Sequence, residues 1–272
     1  MPTKQRRNAE LVANLKPDFT TRSEFYHSPA RLNDALYWPT RFAGGQRAWA
    51  WDATAPSILT SIGTLAPNAA PSVAAVDFFA TDHGAPYINL DGASEYLEWD
   101  DTAWQEPGAD NFFVWSWVNT TSVAGIYMIV GKYLIAGDQR SWKLDYYNVG
   151  NAFRFILSSL GTAVSTISVP STYGVPTLNK WYFVAGFYQA STRSSVFVGA
   201  ADDDTLTVDT VGGATPATLK DGTATFVIGA DSAPGSYWPG LISVCGGWFN
   251  TASADIDSHA LTLFHNTRWF YQ

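Results

Sequence analysis

Between Ser141 and Ser158 the chain reads SWKLDYYNVGNAFRFILS, with apolar and polar residues alternating on both sides of a turn-forming centre. Folding this stretch at Asn148-Val149-Gly150-Asn151 predicts a hairpin, because Asn and Gly supply the backbone conformations a short loop needs. The register then pairs Tyr147 with Ala152, Tyr146 with Phe153, Asp145 with Arg154, Leu144 with Phe155, Lys143 with Ile156 and Trp142 with Leu157. Side chains alternate across a strand, so two faces separate. One carries Trp142, Leu144, Tyr146, Phe153, Phe155 and Leu157 and requires a second apolar layer. The other carries Lys143, Asp145, Tyr147, Ala152, Arg154 and Ile156 and is expected to meet water, with Asp145 and Arg154 as a cross-strand ion pair. A sheet that is apolar on one side and wet on the other is half of a β-sandwich.

Most of the chain repeats this texture. Asn111–Asn119 is apolar on both faces and is expected to be a central strand. Further strands are predicted at Ile126–Lys132, Val164–Val169, Lys180–Tyr188, Ser194–Val198, Leu206–Val211, Thr225–Gly229 and Gly240–Phe249, separated by turn signals. Ala254–Phe264 reads as a helix with Ile256, Ala260, Leu261 and Phe264 on one stripe. Residues 1–35 differ. They lack a sustained period apart from a short helical stripe of Leu11, Val12 and Leu15, ended by Pro17. We therefore expect an N-terminal arm over residues 1–35 and one domain over residues 36–272.

The charge distribution reinforces that division. Residues 1–47 hold eight Lys or Arg against four Asp or Glu, whereas the remainder holds eight against twenty. A basic arm on an acidic body suits contact with an acidic neighbour, such as another copy of the body. Three clustered charges, Lys4, Arg6 and Arg7, are weak grounds for nucleic-acid binding. The single cysteine, Cys245, excludes an intrachain disulfide and reads as a small core residue. No apolar run reaches membrane-spanning length, and the N-terminus lacks the apolar segment of a secretory signal.

The order of motifs resembles the concanavalin A-like lectin/glucanase superfamily, in the laminin-G-like form found in bacteriophage structural proteins. Asn89-Leu90-Asp91-Gly92-Ala93-Ser94-Glu95-Tyr96-Leu97 is similar to the family's FDGSSDYL strand pair. Phe112–Val118, Ile129-Val130-Gly131-Lys132 and Lys180–Gly186 resemble its FTISAWV, ILSKG and KWYHVAGT segments. Phe226–Gly229 followed by Tyr237–Ile242 resembles LYIGA and YFDGLIDEV, and Leu263–Asn266 the closing ELYN. Leu36-Tyr37-Trp38 would open the series. The resemblance, over about residues 36–266 and so outside the extended N-terminal arm, implies an all-β fold, a two-sheet antiparallel jelly-roll sandwich with a short C-terminal helix. It also implies glycan binding in some members, without catalysis. Ser243 stands where many relatives place an acidic residue of a rim calcium site. Calcium therefore stays open but loses an expected ligand, and no other cofactor is expected.

The chain carries no alternating Glu-X-Asp-X-Glu strand, no HExxH and no GxSxG elbow, so no catalytic residues are assigned. Glu98, Asp100 and Asp101 come closest to a carboxylate cluster but lie at a strand end. Asp202-Asp203-Asp204 reads as a solvated turn. Sugar sites combine aromatic faces with a few polar groups. Lys143, Asp145, Tyr147 and Arg154 form the candidate carbohydrate patch, with Trp238 as a loop platform and Trp104 and Tyr133 as further loop aromatics. The expected function is that of a non-enzymatic virion protein, on capsid or tail, whose arm (Lys4, Arg6, Arg7, Leu11, Val12, Leu15) contacts virion subunits or copies of itself. The alternative is an adhesin for a host glycan, and a glycoside hydrolase is the remaining reading.

Overall fold

The computed structural model describes residues 46–51, 59–61, 70–71, 77–80, 86–101, 106–233, 235–249 and 256–272. The expected arm, with Lys4, Arg6, Arg7, Leu11, Val12 and Leu15, lies outside these residues, as do Leu36-Tyr37-Trp38 and Trp104.

Sixteen strands appear among the described residues. The first six are β1 (Gln46–Trp51), β2 (Leu59–Ser61), β3 (Ala70–Pro71), β4 (Asp77–Ala80), β5 (Pro86–Asp91) and β6 (Leu97–Trp99). Next come β7 (Phe112–Thr120), β8 (Ile126–Leu134), β9 (Gln139–Tyr147), β10 (Ala152–Ser158) and β11 (Thr166–Pro170). The last are β12 (Trp181–Gln189), β13 (Arg193–Ala200), β14 (Thr207–Val211), β15 (Phe226–Ile228) and β16 (Pro239–Phe249), followed by helix α1 (Ile256–Thr267). They form two antiparallel sheets stacked as a jelly-roll sandwich. The first sheet runs β14-β13-β12-β7-β16-β1-β2, with β5 also on β16 and β4 on β5. The second runs β11-β10-β9-β8-β15-β6-β3.

The β9–β10 hairpin has the register expected from its sequence, from Ala152 opposite Tyr147 to Leu157 opposite Trp142. Asn151 takes a positive φ of 50° in the connecting turn, a conformation Asn tolerates. The apolar face of the hairpin enters the core between the sheets. There Trp142, Leu144, Phe153 and Phe155 meet Phe112, Val184, Tyr188 and Val196 of the first sheet. Gly186 on β12 leaves room for Phe155, because a Cβ there would lie 2.4 Å from its ring.

Strand β7 is buried along its whole length and lies between β12 and β16, as its two apolar faces require. Its inner face belongs to the sandwich core. Its outer face, Phe113, Trp115 and Trp117, belongs to a second core with Phe183, Phe187 and Phe197 under α1. The Trp117 ring stacks on Tyr271 at 4.4 Å and on Phe264 at 5.8 Å, and its Nε1–H donates to Thr267 Oγ1 at 2.8 Å. The helix therefore seals the outer face of the first sheet and makes the body three layers deep.

Candidate functional site

With the first sheet covered by α1, the outer face of the second sheet is the one on which the candidate patch lies. Position 145 is its centre. Asp145 is fully buried and accepts from Arg154 Nε at 2.8 Å and Nη2 at 2.6 Å. Lys143 Nζ lies 3.1 Å from the same carboxylate and 3.6 Å from Asp231. Lys143 also sits over the Tyr133 ring at 4.5 Å, and the Arg154 guanidinium over Tyr147 at 3.8 Å. The structure thus joins Lys143, Asp145, Tyr147 and Arg154 into one network. Burial alone would push the Lys143 ammonium down, but Asp145 and Asp231 outweigh it and hold the group above the ordinary lysine value.

This face is drier than its sequence suggests, which corrects two expectations. Lys143 keeps only 7% side-chain exposure and Asp145 none, so both support the patch from below rather than offering themselves to a ligand. The cause is the loop between β15 and β16, which is tied down against β8. Tyr133 N–H donates to Ser232 Oγ at 3.2 Å, Met128 N–H donates to Ser236 O at 2.8 Å, and Asp231 reaches Lys143. Gly131 aids this closure, since a Cβ there would meet Lys143 Cβ at 2.6 Å. Tyr147 and Arg154 remain partly exposed.

Trp238 requires the second correction. It is fully buried and its Nε1–H donates to Asn119 O at 3.3 Å. It shares the inward parity of Ile242 in the following strand and anchors the base of the loop, so no ring face is left for a sugar. Tyr133 is likewise buried, beneath Lys143.

Other charged candidates are committed to structure. Asp202 pairs with Lys180 at 2.7 Å, and Asp203 accepts from Tyr173 Oη at 2.7 Å and Ala200 N at 2.8 Å. Asp204 pairs with Arg268 at 3.2 Å, so the triplet clamps its turn to the β11–β12 connection and to the segment after α1, besides meeting solvent. Asp101 and Glu106 both engage the buried Lys132 ammonium, whose third partner is Ala224 O at 2.7 Å. Burial raises the Glu106 carboxyl above its ordinary value. Ser243 is buried and hydrogen bonded to Tyr271 Oη at 2.7 Å. Among the described residues no group of three or more His, Cys, Asp or Glu side chains converges as a metal site would.

Sequence reasoning missed one pair. Tyr96 and Tyr237 lie side by side on the rim, ring centroids 6.2 Å apart and tilted by 44°. Since Leu97 points into the core, alternation places Tyr96 and Glu98 outward, a signal legible in the chain. The partnership with Tyr237, 141 positions away, was not.

A laminin-G-like family model, described as the concanavalin A-like lectin/glucanases superfamily, matches residues 91–245. No curated protein matches the sequence. Among solved structures, the binding domain of Paraclostridial Mosquitocidal Protein 1 superimposes with a TM-score of 0.58 at 9% identity, over 81% of this chain and 52% of that one. The botulinum neurotoxin serotype G binding domain gives 0.56 at 11% identity, covering 80% and 50%. A third, described by the dependence of botulinum neurotoxin type C cell entry on two ganglioside molecules, gives 0.52 at 14% identity, covering 80% and 51%. The chain spans about half the length of each, and at these identities the likeness is one of fold.

Proposed function

Because the chain belongs to the concanavalin A-like lectin/glucanase superfamily, we propose that it is a non-catalytic adhesion domain that binds a glycan through the outer face of its second sheet. One observation carries this reading. With Asp231 included, the network sets two carboxylates, Asp145 and Asp231, against two cations, Arg154 and Lys143, and it presents the Tyr147 ring with a guanidinium over it at 3.8 Å. A pre-set aromatic and polar surface suits a sugar, which offers CH faces and hydroxyls together. Hydrolysis finds less support. Asp145 is locked by two cations, Asp101 and Glu106 share a third, and a glycosidase needs a free carboxyl pair flanking the bond. The type C neurotoxin, whose cell entry depends on interaction with two ganglioside molecules, is a neighbour of the same fold.

The setting we propose is a virion, on capsid or tail, with residues 1–35 as the anchor to sister subunits. The contrast between a basic N-terminal stretch and an acidic body favours it. So do Ile135, Leu160 and Val164, exposed apolar residues on two loops joined by Arg140, whose Nη1–H donates to Gly161 O at 2.7 Å. A glycan array tests the first part: a saccharide retained intact, with affinity reduced by Arg154→Ala or Tyr147→Ala, supports it, and no retention on a broad array refutes it. Deleting residues 1–35 tests the second, since unchanged incorporation into particles would remove the anchor.

A further inference from the structure

We infer that Tyr96, Tyr237 and Glu98 form a second sugar position on the rim, built for an uncharged saccharide and closed to a sialylated one. This rests on the glycan-binding reading above and specifies where and what it binds. Glu98 projects from the outer face of β6, Tyr96 immediately precedes that strand, and Tyr237 comes from the loop before β16. Both tyrosines and Glu98 are partly exposed. Glu98 shares a cross-strand row with Val227, Gly131 and Lys143. Three strand steps of about 4.8 Å each separate Glu98 from the buried Lys143, and the exposed Tyr147 lies four residues, about 13 Å, farther along β9, so a glycan touching both positions spans about 20 Å.

The two loops that carry the pair are locked together. The Asp91 carboxylate accepts from Ala93 N, Ser94 N and Ser94 Oγ, each at 2.8 Å, which fixes the turn before Tyr96. Gly92, at φ +71°, lets that turn abut Pro239, where a Cβ would come within 2.8 Å. Gly229, at φ +88°, packs against Leu90 and the backbone of Glu95 and Tyr96, and Trp238 N–H donates back to Gly229 O at 2.8 Å. The residue that aims Tyr237 is Ser236, held at φ +50° although it carries a Cβ. Such backbone strain persists where surrounding structure enforces it, and it concentrates at functional sites. The Met128 N–H donates to Ser236 O at 2.8 Å and ties this residue to β8.

Charge sets the ligand class. Residues 86–101 and 221–249 contain no lysine or arginine but carry Asp91, Glu95, Glu98, Asp100, Asp101, Asp221 and Asp231. The nearby ammonium groups, Lys132 and Lys143, are each taken by two carboxylates. Burial first, then Glu98 and Tyr237, keeps the Tyr96 hydroxyl above its ordinary value, so it stays a neutral donor or acceptor. Glu98 can accept from sugar hydroxyls and repels a ligand carboxylate.

The test uses the full chain and an array of oligosaccharides in matched pairs, each with and without terminal sialic acid. Uncharged members should bind, and sialylated partners should bind at least about tenfold more weakly, from one added like charge at close range. Glu98→Gln should narrow that gap. Tyr237→Ala should weaken binding about tenfold through loss of a ring face. Tyr237→Leu, which keeps apolar volume, should weaken it similarly while leaving the unfolding midpoint near that of the wild type. Preference for sialylated members, or binding of the uncharged members untouched by Tyr96→Ala and Tyr237→Leu, overturns the second position while leaving the Tyr147 patch standing. Failure of every saccharide to bind overturns both.

Discussion

Replacing Asp145 by alanine removes the acceptor of three charge-assisted contacts at once: two from Arg154, at 2.8 and 2.6 Å, and one from Lys143, at 3.1 Å. What remains is two cations with 14% and 7% side-chain exposure and a single further carboxylate, Asp231, at 3.6 Å from Lys143. Breaking a buried ion pair from one side costs about 3–5 kcal/mol, because the survivor stays desolvated. Arg154 sits at the accessible end and can turn toward water, which places the expected loss near the lower limit, about 3 kcal/mol. For a domain of this size that lowers Tm by about 6–12 °C. The double variant Asp145→Leu with Arg154→Met removes both charges and keeps volume. It should recover to within about 1.5 kcal/mol of the wild type, since Lys143 retains Asp231. Urea unfolding followed by tryptophan fluorescence measures each ΔG from the midpoint and slope. A loss below about 1 kcal/mol for Asp145→Ala, or a double variant as unstable as the two single losses added, would refute the argument that this network is buried and mutually satisfied.

Three further outcomes are expected. Trp117→Ala should cost about 3–5 kcal/mol and collapse the near-ultraviolet dichroism, because the ring is fully buried and stacked against Tyr271 and Phe264. A loss of less than 1 kcal/mol or so would mean that α1 does not seal the first sheet. Gly186→Ala should destabilise by about 1–3 kcal/mol through overpacking, with its Cβ 2.4 Å from the Phe155 ring, whereas Gly174→Ala, with no atom within 4 Å, should answer only to its φ of 96°. For Asp91, burial pushes the acid up, but the Ser94, Ala93 and Glu95 donors outweigh it and hold the carboxyl at about 2 against 3.8. Its folded value is lowered, so its contribution to stability is complete above about pH 4 and fades as the pH falls toward 2. The amide resonances of Ala93 and Ser94 should titrate with a midpoint near 2, and a midpoint at the ordinary value would show the turn to be loose.

The central hairpin was legible because everything that determines it is local: a turn of Asn and Gly, a strict period of two, and an ion pair that fits only one register. Strand β7 was legible for a related reason, since apolar residues on both faces demand cover on both sides. What supplies the outer cover, α1 with Tyr271 beyond it, depends on a packing distance that periodicity does not encode. The same limit explains the errors at the site. Lys143 and Asp145 alternate with core residues and so read as wet, yet a loop from more than eighty positions downstream crosses them and donates Asp231. Trp238 sits among Gly, Pro and Ser and reads as a loop ring, whereas the strand it leads into turns it inward. Asp202, Asp203 and Asp204 read as one turn because their partners, Lys180 and Tyr173 in the β11–β12 connection and Arg268 after α1, lie outside it in sequence. Charges and aromatics show their alternation in sequence, but their partners are fixed only by the folded loops.

The account turns on adhesion through the outer face of the second sheet. Its most direct test is amide and side-chain chemical-shift mapping of the full chain titrated with the tightest saccharide from the array, with the saccharide recovered and analysed afterwards. The account expects an unaltered saccharide and shifts confined to Tyr147, Arg154, Tyr96, Glu98 and Tyr237 with their neighbours. A cleaved saccharide, or shifts centred on α1 and the first sheet, would contradict it.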